Sequence, residues 1–267
     1  MNAVKKNLAV LTEEEKRILF TFASFPEYFC VDWFPDIPPS RLLSTVQQLE
    51  QNQWIGRHQE GPGCYAWTPK SPRSEIIGMI PPDDSALYHR RAVGIMLKHI
   101  TLDDRHTLMI ARQCLLAGLQ EDDLGIIMKA ALVEEKRHRI ASAFSFYDSI
   151  LEFMETIAGP GKQELAQSTW HICINAIERR VSLSLFHPNV KKINRVLAIA
   201  LETARRIGDL RSQASLELLI GQNYWMYFQY ASAVEHFNQG WEIIQKIEDE
   251  DLRKRGLKVQ GLAYIIS

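Results

Sequence analysis

Residues 209–247 read DLRSQASLELLIGQNYWMYFQYASAVEHFNQGWEIIQKI, and two helix-length apolar patterns meet within them. Ile220, Gly221 and Tyr224 fall on the first pattern, and Ala233, Phe237 and Gly240 on the second. Small residues at these places let two antiparallel helices cross closely, while Tyr224 and Phe237 fill the gaps beside them. A helical pair of this kind cannot bury its apolar face alone, so it stacks with neighbours. That points away from catalysis and toward a scaffold.

The same phase recurs upstream in weaker form. Ala143, Tyr147 and Ile150 repeat the spacing of Ala233, Phe237 and Gly240, with Ala131 standing where Gly221 would. Ile193, Leu197 and Ala200 repeat it again. The register resembles the tetratricopeptide repeat, although fifty residues separate Ala143 from Ile193 and forty separate Ile193 from Ala233. The ideal period is about 34, so these are degenerate repeats with long helices. Glu217 stands at a position usually apolar in that repeat. In the tetratricopeptide register Leu218, Gln222 and Trp225 face the concave groove, which makes them the candidate partner-binding residues, with core packing against the adjoining helix the favoured role for Trp225. Leu257, Val259, Leu262 and Ile265 carry an apolar stripe almost to Ser267. That stripe reads as the first helix of an unfinished repeat, and we expect a longer protein.

Residues 1–80 have a different texture. Thr12 with Glu15 forms a capping-box signature ahead of a helix whose apolar face is Ile18, Leu19 and Phe22. A short helix is expected near Val31–Phe34. Ser40 then opens a second full helix with Leu42, Leu43, Val46 and Leu49 on its buried stripe. Trp54–Arg57 and Cys64–Trp67 flank a Gly-Pro-Gly turn and read as a β-hairpin. Helix, short helix, helix, hairpin is the order of a winged helix-turn-helix. Pro81-Pro82 marks the boundary, after a short connecting helix around Ile76. Residues 81–267 read as helices throughout, near 84–99, 104–117, 121–135, 137–157, 162–183, 190–207, 210–229, 231–247 and from Asp251 on. The fold class expected is mainly α: a winged-helix domain over 1–80, then a tetratricopeptide-like α-solenoid over 81–267.

The 46% hydrophobic and 24% charged composition is that of a globular domain. Lys plus Arg number 31 against 32 Asp plus Glu, so no net field draws the chain to nucleic acid or anionic lipid. Cys30, Cys64, Cys114 and Cys173 are far apart and read as reduced, buried thiols of a cytoplasmic protein, with a distant disulfide as the less favoured alternative. No signal peptide or membrane-length apolar run is visible.

Motifs for chemistry are thin. Gly159-Pro160-Gly161-Lys162 lacks the glycine and the Ser or Thr of a phosphate loop, since Thr156 and Gln163 stand in those places. It reads as an interhelix turn. The histidines form no metal-binding spacing, the carboxylates cluster at helix ends, and no nucleophile motif is present. No cofactor, metal or catalytic residue is expected, and the chain is read as a non-enzyme. A DNA-reading winged helix would use Arg41, Ser44, Gln47 and Gln48 on the second helix and Arg57 on the wing. Residues 1–80 hold eight Lys and Arg against nine Asp and Glu, which favours docking to protein over reading DNA.

Taken in order, the chain resembles the C-terminal arms of bacterial multidomain signalling ATPases, including relatives of the maltose-regulon activator and adenylate-cyclase-linked regulators. Tyr88-His89-Arg90-Arg91-Ala92 is similar to their segment after the winged helix. Ala111-Arg112, Leu116–Leu119 and Ile126–Ala131 resemble their repeat onset. The nucleotide-binding domain of that family is missing from these residues. The resemblance implies a regulatory module without a reaction of its own. Its groove would bind a protein, peptide or small effector, and its winged helix would dock on a neighbouring domain such as the ATPase.

Overall fold

The computed structural model describes residues 11–157, 165–183 and 190–266, with the side chains at 190–192 and 262–266 outside the description. The chain is mainly helical with one small three-stranded antiparallel sheet. It divides into two compact units, one running to Ile126 and the other starting at Ile127. The first unit therefore extends past the change of texture at residue 80.

In the first unit, α1 (Glu13–Ala23) starts on the capping box expected from sequence. The Thr12 hydroxyl accepts from the Glu15 amide at 3.3 Å, and the Glu15 carboxylate accepts from the Thr12 amide at 2.8 Å. Strand β1 (Tyr28–Cys30) follows, then a 3-10 turn (Val31–Trp33), α2 (Pro39–Gln51), β2 (Ile55–Arg57) and β3 (Cys64–Trp67). The strands lie in the order β1-β3-β2. Strand β1 was not legible beforehand because all three of its residues are buried, so no alternation of apolar and polar marks it. Its Phe29 stacks on Phe22 with ring centroids 4.2 Å apart, and Phe34 and Trp33 close on Phe25 at 5.5 and 5.9 Å. This aromatic cluster is the core of the unit.

Three expectations are corrected here. Helix α2 begins at Pro39, with Pro38 as the cap residue, so Ser40 does not cap it; a proline in the first turn forfeits no helical hydrogen bond. Leu43 is 50% exposed, and Thr45 takes the buried place instead, its hydroxyl donating to the Arg41 carbonyl at 3.0 Å. Cys30 and Cys64, read as separate thiols, are joined in a disulfide. They are direct opposites across β1 and β3. The Val31 amide donates to the Gly63 carbonyl, which makes Cys30 and Cys64 a non-hydrogen-bonded pair with its side chains close together. Cys114 and Cys173 remain buried thiols. Helix α3 (Arg73–Ile77) packs on α1, where Arg73 Nε donates to the Ala23 carbonyl at 2.9 Å. Helices α4 (Pro82–His99) and α5 (Asp104–Leu116) complete the unit. They are joined by a buried His89–Gln113 bond of 2.7 Å, and Arg90 binds both Asp123 oxygens at 2.8 Å.

The second unit is built from α6 (Leu124–Lys136, which begins at the division), α7 (Ile140–Ile157), α8 (Gln167–Leu183), α9 (Val190–Arg206), α10 (Leu210–Met226), α11 (Tyr230–Ile244) and α12 (Glu250–Ile266). One turn recurs between its helices. His138, Gly208 and Phe228 take positive φ values of 56°, 71° and 59°. The amides of the residues that follow, Arg139, Asp209 and Gln229, bond back to the carbonyls of Glu134, Ala204 and Tyr224. His138 and Phe228 are ninety residues apart, as are Ala131 and Gly221, Ala143 and Ala233, Tyr147 and Phe237, and Ile150 and Gly240. All of those paired core positions are buried. Gly159-Pro160-Gly161-Lys162 and His187-Pro188-Asn189 lie outside the described residues, as do the side chains of Leu262 and Ile265.

Helices α10 and α11 run antiparallel, Gly221 opposite Ala233 and Phe237, and Gly240 opposite Leu218, Glu217 and Ala214. A Cβ at Gly221 would collide with the Phe237 ring and stand 3.0 Å from the Ala233 carbonyl oxygen. Gly221→Ala should therefore lower the stability of this unit by about 1–3 kcal/mol, and Gly221→Val by more. Loss of hydrogen-exchange protection across α10 and α11 would report it.

Asp209 caps α10, accepting from the Ser212 amide at 3.0 Å and from Trp170 Nε1 of α8 at 2.9 Å. Burial works to raise its pKa, but these bonds and the one from the Ser212 hydroxyl outweigh it and hold the carboxyl below its ordinary value of 3.8. A depressed folded-state pKa gives stability that is complete above the ordinary value and is lost as pH falls through the folded one. Acid titration of the unit, followed by Trp170 fluorescence, should show that loss, and Asp209→Asn should diminish it.

Candidate functional site

Helices α6, α8, α10 and α12 together line a polar cleft of about 400 Å³, which includes Glu135, Asn175, Glu178, Arg179, Gln222 and Arg255. On α8 the lining residues Asn175, Glu178, Arg179 and Ser182 follow i, i+3, i+4, i+7 spacing and so share one helical face. Cys173, Ile174 and Ile177 point into the core from the other side. Arg179 and Arg180 consequently part company. Arg179 lines the cleft, whereas Arg180 is 5% exposed, bonded through Nε to Asp148 at 2.8 Å and stacked over Phe144.

Two carboxylates organise the floor. Glu135 accepts from the Tyr147 hydroxyl at 2.7 Å and from Arg179 Nη1 at 3.0 Å. Burial pushes the Tyr147 phenol pKa up, and the bond to Glu135 pushes it further in the same direction, so Tyr147 is a fixed donor. Glu178 accepts from the Ser215 hydroxyl. Arg255 Nη1 reaches Glu178 at 3.5 Å and Ser215 Oγ at 3.3 Å, both at the long edge of hydrogen bonding. The charges therefore largely cancel within the cleft. The Asn175 and Gln222 side chains form no hydrogen bond to a described residue and present amide donors and acceptors to a ligand.

Of the three groove residues expected from sequence, Gln222 lines this cleft. Leu218 is 2% exposed and belongs to the core with Ala214, Ala233 and Phe237. Trp225 packs against that core, its ring 5.2 Å from Tyr230 and 6.4 Å from Phe237. Sequence reasoning missed Glu135, Asn175, Glu178, Arg179 and Arg255. The polar stripe along α8 was the available signal for three of them. A second cleft, about 470 Å³, lies at the α11–α12 turn beside Trp241. Of its three acidic residues, Asp249 is engaged with Arg211 at 2.8 Å and Glu250 with Lys254 at 2.9 Å.

Behind the cleft sits Glu217, whose side chain is 1% exposed. Its oxygens accept from Arg205 Nη2 at 2.9 Å and meet His236 Nδ1 at 2.7 Å, and the Gln239 amide nitrogen turned inward reaches them at 3.2 and 3.3 Å. His236 in turn stacks on Tyr224. This is how a buried carboxylate is tolerated there.

In the first unit, the exposed side of α2 carries Arg41, Ser44, Gln47 and Gln48, and Arg57 is exposed at the end of β2. Arg41 is paired with Glu14 of α1, and the Ser44 hydroxyl donates to the Arg41 carbonyl at 2.9 Å. His58 beside Arg57 lies flat on Tyr28, centroids 4.4 Å apart. Arg91 and Arg105 are likewise paired, with Asp36 and Glu27. Among the described residues no group of three or more His, Cys, Asp or Glu is placed to hold a metal ion, and no helix is long and apolar enough to cross a membrane.

No family model matches the sequence, and no curated protein matches it. Among solved structures, BtubC (BKLC) from P. vanneervenii aligns over 72% of this chain and 77% of its own, with 14% identity and a TM-score of 0.44. A signal-transduction ATPase with numerous domains and a tetratricopeptide-repeat sensor, from Pyrococcus horikoshii, aligns over 98% of this chain with 14% identity and a TM-score of 0.36. The chain spans 49% of the length of that ATPase.

Glu217→Ala should cost the second unit about 3–5 kcal/mol, because a buried ion pair loses its central member and the polar groups around it lose their acceptor. Urea titration of the full chain, read through the α10–α11 amides, would measure it. A cost below about 1 kcal/mol would mean that Arg205 and His236 reach water unaided.

Proposed function

We propose that the chain is a non-catalytic binding module of a cytoplasmic signalling or transcription-regulatory protein. In this reading the second unit is a degenerate tetratricopeptide-like solenoid, and the cleft across α6, α8, α10 and α12 is its concave groove. The observation that carries the reading is the pair of uncommitted amides, Asn175 and Gln222, set among self-neutralised charges. Amides of this kind bond equally well to the N–H and C=O groups of an extended peptide, and the cancelled charges impose no strong selection by net charge. Arg255, held only by long bonds, is the cation most easily turned toward an acidic group on the ligand. The ligand is accordingly a polar segment of a partner protein, or a small effector with the same groups. The first unit is read as a winged helix, with α2 in the recognition position and the β2–β3 hairpin as its wing. The neutralised Arg41 and the paired Arg91 and Arg105 support its docking to a protein, an ATPase domain of the same regulator being one such surface.

The alternative assigns α2 to DNA. Its support is the row Ser44, Gln47 and Gln48 on an exposed helical face, since glutamine reads adenine in the major groove.

Selection of peptides from a random display library against the full chain tests the first reading. Selected peptides should lose about tenfold in affinity, some 1.4 kcal/mol, in Asn175→Ala and in Gln222→Ala, with folding intact by circular dichroism. Binders indifferent to both substitutions would overturn it. Fluorescence anisotropy with labelled duplex DNA tests the alternative, for which binding should weaken steeply with added salt. No binding even at low salt removes it.

A further inference from the structure

We propose that Cys30 and Cys64 form a thiol–disulfide exchange site that sets the order of the β2–β3 hairpin, independently of any reading of the cleft. The argument begins with topology. The bond joins β1 to β3, and the loop it closes, with a sequence separation of 34, contains the 3-10 turn, all of α2 and β2. Strands β1 and β3 are only three and four residues long. Each ladder is short, although β3 is paired on both sides and Trp67 Nε1 also donates to the Phe22 carbonyl at 3.3 Å, and the covalent bond adds to these in holding β3 to β1.

The surroundings of the two sulfurs differ from those of the other cysteines. Cys114 is 0% exposed inside α5, where burial, reinforced by the nearby Asp123 charge, pushes its thiol up to about 12. Cys173 is 0% exposed inside α8. Neither presents a thiolate to a redox partner. Cys64, 7% exposed, lies at the end of the Gly61-Pro62-Gly63 turn, and a Cβ at Gly61 would be 4.0 Å from its sulfur. Cys64 Sγ is thus covered by a turn in which the residue above it has no side chain. Gly63 holds a φ of +82° with the Val31 side chain close by, so the turn depends on glycine twice. A small opening of this turn exposes Cys64 Sγ without disturbing the aromatic core around Phe22 and Phe29.

The exchange balances as follows. A thiolate of an external dithiol attacks Cys64 Sγ, the Sγ–Sγ bond breaks, and Cys30 leaves as a thiolate that takes up a proton. The second thiol of the reductant, deprotonated, then attacks the mixed disulfide and releases Cys64 as a thiolate, which is protonated in turn. The protein gains two electrons and two protons, and the dithiol becomes a disulfide. The reverse reaction uses a low-molecular-weight disulfide as oxidant. In the dithiol form β3 keeps its hydrogen bonds but loses the closed loop, so the hairpin and the C-terminal end of α2 open more often.

The test uses the full chain equilibrated in a series of dithiothreitol buffers from fully reduced to fully oxidised. Free thiols are trapped by alkylation and counted by mass spectrometry. The expected result is a two-electron transition confined to Cys30 and Cys64, with Cys114 and Cys173 unlabelled until the chain is denatured. Across that transition, hydrogen-exchange protection of residues 55–67 should fall roughly ten- to a hundredfold, while α10 and α11 keep theirs. A Cys30→Ser, Cys64→Ser double variant should reproduce the reduced pattern and no longer respond to the buffer. The proposal fails if the pair stays wholly oxidised or wholly reduced across the series. It also fails if hairpin protection is the same in both forms, or if the double variant still responds.

Discussion

The second unit depends on one close approach, the crossing of α10 and α11 at Gly221. Because no side chain stands there, Phe237 lies directly against the α10 backbone and is wholly buried. That burial contributes about 2–3 kcal/mol relative to an exposed ring. The crossing also fixes the rotation of α10 about its own axis. With Gly221 turned to α11, the next residue, Gln222, is rotated by about 100° away from that contact. Ser215, seven residues earlier, shares that side, and both groups meet α8 and α12 at the cleft. The chemistry available to a ligand is therefore set by a glycine that the ligand would never touch.

Where side chains repeat with a helical period, the sequence was readable. The helices of the second unit were anticipated within a few residues, and the Gly221, Ala233, Phe237, Gly240 register matches the buried positions. Capping by Thr12 and Glu15 was equally plain. Short-range patterns failed where contact is long-range. Strand β1 has no alternation to betray it, and its pairing with β3 brings together two cysteines 34 positions apart. The cleft residues come from four helices, and no single helix reveals that Glu135, Glu178 and Arg255 share a surface. Leu218 and Trp225 show a related difficulty. An apolar side chain on a helix shared by a core and a groove can serve either, and only the packing decides between them.

The two units are stabilised by different means. The first relies on stacked and edge-on rings, Phe22, Phe25, Phe29, Trp33 and Phe34, with ion pairs at its surface. The second interleaves small-residue crossings with buried polar groups: Asp209 on Trp170, Arg180 on Asp148, and Glu217 on Arg205 and His236. Each of those polar groups ties helices from different pairs together. Hydrogen-bond geometry thus supplements apolar contact that is not in itself very selective.

Glu217 bears on how such a chain avoids misassembly. A protein whose helices are joined by near-identical turns, ninety residues apart, risks pairing α10 with the partner that belongs to α6. In that exchange Glu217 would take the place of its counterpart Ile127, which is wholly buried. The carboxylate would then lie in the interior without Arg205, His236 or Gln239 to receive it. The wrong pairing is penalised by desolvation, whereas the correct one supplies donors from α9 and α11. One acidic residue in an apolar repeat thereby gives the helices an address.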